Sequence, residues 1–300
     1  MLAIRERLAA DQAQLVQALG LASCDARLEA QLLMAAALDV NRAWLLAHDD
    51  EMLDPPVAAR YTSWLKRRLT GEPIAYIFGE KEFYGLMFKV SPAVLIPRPE
   101  TELLLELALA RIPVDRPCRV LDLGTGSGII AITLAKLRPL AELVAVDVSP
   151  AALELAQANA RNLKASNILF IESDWFSALD SVEKFDVIVS NPPYIRADDP
   201  HLARGDLRFE PTHALAAGAS GSDALSRIIT QAIPHLASTG TLLLEHGYDQ
   251  GEYVRAALRQ TGFPESVTYQ DLASVERVTI GVSDKFTFLS LCSLISFSNN

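Results

Sequence analysis

Apolar residues fall into three successive rhythms along the chain. Up to about Thr70 the spacing is helical. Ile4, Leu8, Leu15 and Leu19 share one face, and Leu28, Leu32, Leu33 and Ala36 repeat the pattern after Ser23, a candidate N-cap. Trp64, Leu65 and Leu69 close the stretch, with Gly71 as a stop signal. Residues 1–73 thus predict a small helical domain. From 74 to 99 aromatic and β-branched residues alternate with Gly and Pro (Phe83, Tyr84, Gly85, Phe88, Val90), which predicts a β-hairpin linker. Pro97-Arg98-Pro99-Glu100-Thr101 then opens an apolar helix running from Leu103 to Ile112. Proline and acids in the first turn suit such a start.

From Arg119 onward short apolar runs alternate with helical patterns. Strands are predicted at 120–123, 143–146, 168–171, 185–190 and 241–245, and helices at 129–137, 151–161 and 224–236. A terminal pair of strands is expected at 267–269 and 277–280. This alternation predicts an α/β fold, a parallel sheet with helices on both faces.

Composition narrows the function classes. With 300 residues, half of them hydrophobic, the chain can bury the core of one large domain and a smaller one. A formal net charge of −10 makes it a poor generic polyanion binder and counts against nucleic acid as a direct substrate. Cys24, Cys118 and Cys292 are far apart and odd in number, suggesting neither a zinc site nor a disulfide framework, so a reducing, cytoplasmic setting is expected. The five histidines show no metal spacing, and no metal is expected. No apolar run of signal-peptide length follows the first methionine. The apolar stretch at 286–297 is broken by serines and falls short of the ~20 residues that span a bilayer, so no membrane association is expected.

Gly124-Thr125-Gly126-Ser127-Gly128 follows the first strand of the alternating region and opens a helix. Glycines permit a sharp turn and let a ligand touch the backbone. Ile129 stands where a dinucleotide fingerprint would place its third glycine, and Ile129-Ile130 stand where a P-loop would carry its Lys and Ser or Thr. The loop suits a close ligand without a phosphate clamp, and S-adenosylmethionine, which has no phosphate, fits. A purely structural tight turn is the alternative. Asp147 ends the next strand, where a carboxylate can accept both hydroxyls of a ribose; a helix cap before Ser149-Pro150 is the alternative. Asp174-Trp175 follow the third strand. There an indole can cover an adenine and a carboxylate can accept from its amino group, or the Trp can simply pack over the sheet.

Asn191-Pro192-Pro193-Tyr194 ends the strand 185–190, at the sheet edge where open α/β folds place their sites. An amide or exocyclic amino nitrogen is a poor nucleophile because its lone pair is delocalised. Two acceptors that hold its two N–H groups can aim that lone pair at a methyl donor. The side-chain oxygen of Asn191 and the carbonyl of Pro192 are candidates. Neither proline offers a competing N–H, and their fixed φ stiffens the turn. Tyr194 can stack on a flat substrate group. A proline-stopped strand is the structural alternative. His246, beside Glu245, Glu100 and Thr101 at the helix start, and the loop Arg208-Phe209-Glu210-Pro211 are weaker candidates for the pocket.

Taken in order, Pro97-Arg98-Pro99-Glu100-Thr101-Glu102, the glycine loop, Asp174-Trp175-Phe176, Asn191-Pro192-Pro193-Tyr194, Arg208-Phe209-Glu210-Pro211, Leu244-Glu245-His246-Gly247 and Glu276-Arg277-Val278-Thr279 resemble the release-factor glutamine methyltransferase family (HemK or PrmC type). The resemblance runs to about Gly281. It implies a class I S-adenosylmethionine-dependent methyltransferase fold, with a Rossmann-like seven-stranded sheet over 100–281. It also implies N5-methylation of the glutamine in the Gly-Gly-Gln motif of class I peptide chain release factors, and a helical N-terminal domain that helps to dock them. Carried over by position, the cofactor contacts are Gly124, Thr125, Gly126, Ser127, Gly128, Asp147, Trp175 and Asn191. The substrate contacts are Asn191, Pro192, Pro193 and Tyr194, with Asn191 and Pro192 catalytic. Residues 282–300 form an atypical tail with no assigned function. Two other functions share parts of this pattern: amino methylation of adenine or cytosine in nucleic acid, and a non-catalytic module that binds translation factors.

Overall fold

The computed structural model describes residues 3–284, in two compact units. The first comprises residues up to Gly79 together with Ala203–Phe209. Its helices are α1 (Ile4–Leu19), α2 (Ser23–Leu38), α3 (Arg42–Ala47), α4 (Pro55–Leu69) and α5 (Ile74–Phe78). Gly20, in the left-handed region at φ 67°, ends α1, and Asn41 caps α3 by accepting from the Trp44 amide at 2.9 Å. Ser23 is not the expected cap. The N-cap of α2 is Ala22, and the Ser23 hydroxyl accepts from Gln12 Nε2 instead. Leu28 is exposed rather than on the core face, because Ala26, Ala30, Leu33, Met34 and Ala37 form the buried stripe of α2. Ile4, Leu15, Leu45, Tyr61 and Leu65 complete that core. The buried Arg68 pairs with Glu29 at 2.7 Å and Asp206 at 3.0 Å, and donates to the carbonyls of Gly71 and Glu72. Such a pair mainly fixes geometry, since desolvation offsets much of its attraction.

The expected hairpin over 74–99 is shorter than that range. Pro73 and Gly79 (φ 74°) bracket the apolar segment as helix punctuation, and it forms α5. The hairpin itself is β1 (Glu80–Phe83) and β2 (Leu86–Lys89), turned through Tyr84 and Gly85 at φ 50° and 74°. Positive φ at both central residues is the signature of a type I′ turn. The hairpin belongs to the second unit, which starts at Glu80.

In that unit α6 (Thr101–Leu109) precedes β3 (Cys118–Leu123), α7 (Ile129–Leu137), β4 (Ala141–Asp147), α8 (Pro150–Leu163), β5 (Ile168–Glu172) and β6 (Phe185–Ser190). Then follow α9 (Thr212–Leu215), α10 (Asp223–Ala232), β7 (Leu236–Glu245), α11 (Gly251–Thr261), β8 (Glu265–Gln270) and β9 (Glu276–Val282). The seven strands lie in the order β5-β4-β3-β6-β7-β9-β8. Five are parallel, and the terminal pair adds antiparallel through β7–β9 and β9–β8. Val120, Val187 and Val189 face one core, and Leu121, Leu123 and Ile188 the other. Strands covered on both faces read as continuous apolar runs, which is why they stood out in the sequence. The chain leaves β3 for β4 on one side and returns to β6 on the other, so the order reverses between β3 and β6. Ligand clefts form at such a point, beyond the carboxyl ends of the strands. Val282 ends β9, and the Ser283 hydroxyl reaches the carbonyls of Ala237, Ser238 and Gly240. The remainder of the atypical tail lies outside the described residues.

Candidate active site

The glycine loop emerges from β3 at this switch point. Gly124, Gly126 and Gly128 all have positive φ, at 72°, 56° and 85°. The amides of Gly124 and Thr125 both donate to the carbonyl of Val146, which holds the loop against β4. Below it, the fully buried Asp122 accepts from the Thr125 hydroxyl at 2.7 Å and the Ala131 amide at 3.2 Å. Burial pushes the Asp122 carboxyl up to about 7, while those two bonds oppose the shift. Gly128 does not line the cleft as expected of a ligand contact. A Cβ there would lie 2.6 Å from Ile132 Cδ1 and 3.2 Å from Ala156 Cβ, so the glycine lets α7 and α8 approach. Gly128→Ala is expected to lower stability by ~1–3 kcal/mol through backbone strain and that collision. A urea midpoint equal to that of the wild type would contradict it.

Asp147 stands beside the loop. Its Oδ2 accepts from the Gly126 amide at 2.9 Å and its Oδ1 from the Ser149 amide at 2.9 Å. It is not the cap of α8. Ser149 fills that role, its hydroxyl accepting from the Ala152 amide at 3.3 Å. Trp175 adopts φ 55°, unusual for a bulky residue, and a Cβ added at Gly124 would meet its indole at 3.5 Å. Asp174 also lines the cleft, and its two oxygens accept from Arg227 at 2.9 and 2.7 Å.

The tetrapeptide lies at the end of β6, next to the loop. Ser190 Oγ donates to the Leu123 carbonyl at 2.7 Å and ties the two strand ends together. Asn191 Nδ2 donates to Thr101 Oγ1 at 3.0 Å. Asn191 and Pro193 line the cleft with Gly124, Thr125, Gly126, Ser127, Asp147 and Trp175. Pro192 is buried beside it, and the Tyr194 hydroxyl turns toward Glu245, at 3.5 Å. The space within the cleft, counted out into the solvent at its mouth, is about 930 Å³.

Three features of the site were not assigned from the sequence, although Thr101 and Glu210 stood among its weaker candidates. The segment Val94, Leu95, Pro97 and Arg98 walls the cleft, together with Thr101 and His213. The buried Glu210 fastens that wall, accepting from the Ile96 amide at 2.9 Å and pairing with Arg98. Glu245, buried at the end of β7, has the Tyr194 hydroxyl 3.5 Å from its Oε1, while its Oε2 meets no hydrogen-bond partner among the described residues. His246 is structural: its ring nitrogens meet the Gly247 carbonyl and Thr279 Oγ1 at 2.9 and 2.8 Å.

Chemically the cleft offers an exposed backbone loop, a carboxylate and an indole. Its wall cation, Arg98, is paired with Glu210. That set fits an adenosine-bearing ligand without phosphates. A methyltransferase-domain model matches residues 115–270, and a PrmC N-terminal domain model matches residues 12–79. A release factor glutamine methyltransferase from Escherichia coli is 48% identical over 260 residues, covering 87% of this chain and 93% of the relative. Another of the same name, from Bordetella pertussis, is 48% identical over 255 residues, covering 85% and 94%. The chain belongs to the release factor glutamine methyltransferase family.

Solved structures agree on the fold. A methyltransferase from Pyrococcus furiosus superposes with TM-score 0.51 at 16% identity, covering 74% of this chain and 98% of its own. A 16S rRNA methyltransferase from T. Thermophilus, solved with AdoMet and guanosine, superposes with TM-score 0.52 at 22% identity, covering 68% and 50%. The sheet is that of the class I methyltransferases. Most segments that carry the family resemblance meet at the cleft. Arg208 and Phe209 do not: they belong to the N-terminal unit, where Arg208 donates to the Thr70 carbonyl at 2.8 Å. No helix among the described residues is long and apolar enough to cross a membrane.

Proposed function

We propose that this protein transfers a methyl group from S-adenosylmethionine to the side-chain N5 of the glutamine in the Gly-Gly-Gln motif of class I release factors. The observation that carries the proposal is 48% identity over 93% of a release factor glutamine methyltransferase, with Asn191-Pro192-Pro193-Tyr194 at the switch-point cleft. Asp147 has one hydrogen bond on each carboxylate oxygen, leaving lone pairs that can accept both ribose hydroxyls. Trp175 offers a face to the adenine. The cofactor supplies an electrophilic methyl group on a sulfonium. Asn191 Oδ1 and the Pro192 carbonyl accept the two N–H groups of the glutamine amide and turn its nitrogen toward that methyl. Tyr194 flanks the amide plane. No strong base is needed, because the nitrogen proton becomes acidic only after methylation. Catalysis is then mostly positioning by preorganised dipoles. Docking of the release factor on the helical unit and residence in the cytoplasm belong to the same proposal, and nucleic acid is not a direct substrate.

Labelled S-adenosylmethionine tests this against release factor, the same factor with its glutamine replaced, DNA and RNA. Label is expected in the unaltered release factor alone. Label confined to nucleic acid would overturn the proposal, and label nowhere would point to a non-catalytic role.

A further inference from the structure

The tetrapeptide is short of donors. Pro192 and Pro193 have no N–H, so this stretch cannot be fixed by its own amides as a strand is. It can be held only at its ends and through its carbonyls. The leading end is tied: Ser190 Oγ donates to the Leu123 carbonyl and Asn191 Nδ2 to Thr101 Oγ1. The mechanism proposed above leaves the Pro192 carbonyl open for the substrate. Two residues further on, the carbonyl of Tyr194 is taken by a side chain distant in sequence. Gln250, at the N-cap of α11, donates to it from Nε2 at 3.1 Å.

The same Nε2 donates to the Gly221 carbonyl at 3.0 Å, and Oε1 accepts from the Gly247 amide at 2.9 Å. One side chain thus joins the connection after β6, the turn that leads into α10 and the turn between β7 and α11. Its orientation is dictated. Backbone carbonyls only accept and backbone amides only donate, so a half-turn of the Gln250 amide would set oxygen against two carbonyls and NH₂ against an N–H. Space is arranged for the bridge as well. At Gly221, with φ 73°, a Cβ would lie 2.8 Å from the Tyr194 carbonyl oxygen and 3.2 Å from the Arg196 nitrogen. Only a bare backbone lets that turn close on Tyr194. Just beyond, the Ile195 amide donates to the Leu215 carbonyl at 3.0 Å, and the Ile195 carbonyl accepts from the Ala217 amide at 2.8 Å.

We propose that Gln250 is a positioning residue: by fixing the Tyr194 carbonyl, it holds the trailing end of the tetrapeptide so that the Asn191 oxygen and the Pro192 carbonyl face the reacting amide together. This rests on the reading of Asn191 and Pro192 as the two acceptors. Each proline fixes φ, so the freedom left between the two anchors is rotation of the peptide units, and that rotation swings the Pro192 carbonyl. Pinning both ends suppresses it. The glycine loop and Asp147 are not among the partners of Gln250, so loosening this anchor acts on turnover and spares the cofactor.

The test compares Gln250→Glu and Gln250→Met, each in the wild-type and the Asn191→Ala background. Gln250→Glu separates positioning from helix capping. Its carboxylate keeps an acceptor for the Gly247 amide but sets oxygens against the two carbonyls. Gln250→Met has similar reach and loses all three bonds. Single-turnover rates and KM are measured with class I release factor and S-adenosylmethionine at about pH 8, where the introduced carboxyl is ionised, and cofactor Kd by calorimetry. Both variants are expected to lower the rate about 10- to 100-fold, with cofactor Kd within about threefold of wild type. Gln250→Glu should be as slow as Gln250→Met or slower. In the Asn191→Ala background either substitution should cost only about threefold or less, because groups that act as a unit are not additive. A wild-type rate in Gln250→Glu, or an undiminished loss in the Asn191→Ala background, would overturn the inference. If Gln250→Glu does not fold by circular dichroism, Gln250→Met in the two backgrounds decides. Wild-type turnover in Asn191→Ala would remove the acceptor reading and this inference with it. An inactive Asn191→Ala beside fully active Gln250 variants would remove the positioning role alone.

Discussion

Asn191→Ala is expected to remove most turnover while the protein stays folded and still binds its cofactor. The substitution deletes one of two proposed acceptors for the glutamine N–H groups and leaves the Pro192 carbonyl. Loss of one preorganised hydrogen-bonding group at a reacting centre typically costs about 10²- to 10³-fold in kcat. The structural cost is smaller. One hydrogen bond is lost, that from Nδ2 to Thr101 at 3.0 Å, worth about 1 kcal/mol against a domain stability of roughly 5–15 kcal/mol. Cofactor affinity should fall only mildly, because the glycine loop, Asp147 and Trp175 are untouched. Single-turnover kinetics at saturating substrate check the first statement and calorimetry the second. Wild-type turnover in the variant would remove Asn191 from the mechanism.

Asp147→Ala is expected to act on the other ligand. Its carboxylate does two things at once in the proposed site. It receives the ribose hydroxyls, and it pins the glycine loop through the Gly126 amide while holding the start of α8 through the Ser149 amide. Hydrogen bonds to a charged group are worth about 1.5–3 kcal/mol each, and each 1.4 kcal/mol is tenfold in affinity. Removing the carboxylate should raise the cofactor Kd about 10- to 100-fold, with kcat at saturating cofactor far less affected. Calorimetric titration reads this directly, and an unchanged Kd would refute it.

The contrast between these residues and Gln250 shows what a sequence exposes. The glycine loop and the tetrapeptide are each a handful of consecutive residues after a doubly buried strand. Their chemistry is local, and so is their signal. The β-strands were visible for a related reason, since Val187-Ile188-Val189 cannot be mistaken for a solvated face when both sides are covered. The partners of the supporting residues were not visible. Thr101 and Asn191 are 90 residues apart, and Arg98 and Glu210 are 112 apart. Thr101 and Glu210 could be singled out as weaker candidates for the pocket, but nothing in the chain announces which side chain each would meet. Local misreadings had local causes. Ser23 has the right chemistry for a cap but lies one position inside α2. The segment 74–78 has strand-like residues, yet Pro73 and Gly79 bracket a single helical turn.

Asn159 on α8 carries a consequence for where the second unit can be cut. Its oxygen accepts from the Lys89 amide at 2.8 Å, and its nitrogen donates to the carbonyls of Lys89 and Ser127 at 3.0 and 2.9 Å. One buried amide thus stitches the hairpin, the glycine loop and a sheet-covering helix together. A truncated chain beginning at β3, the first strand of the sheet, would strip that amide of two of its three partners. The ligand loop would then rest on an unsatisfied polar group in a dry interior. The shortest self-supporting catalytic fragment therefore begins upstream of the hairpin, some way before the sheet that gives the fold its character.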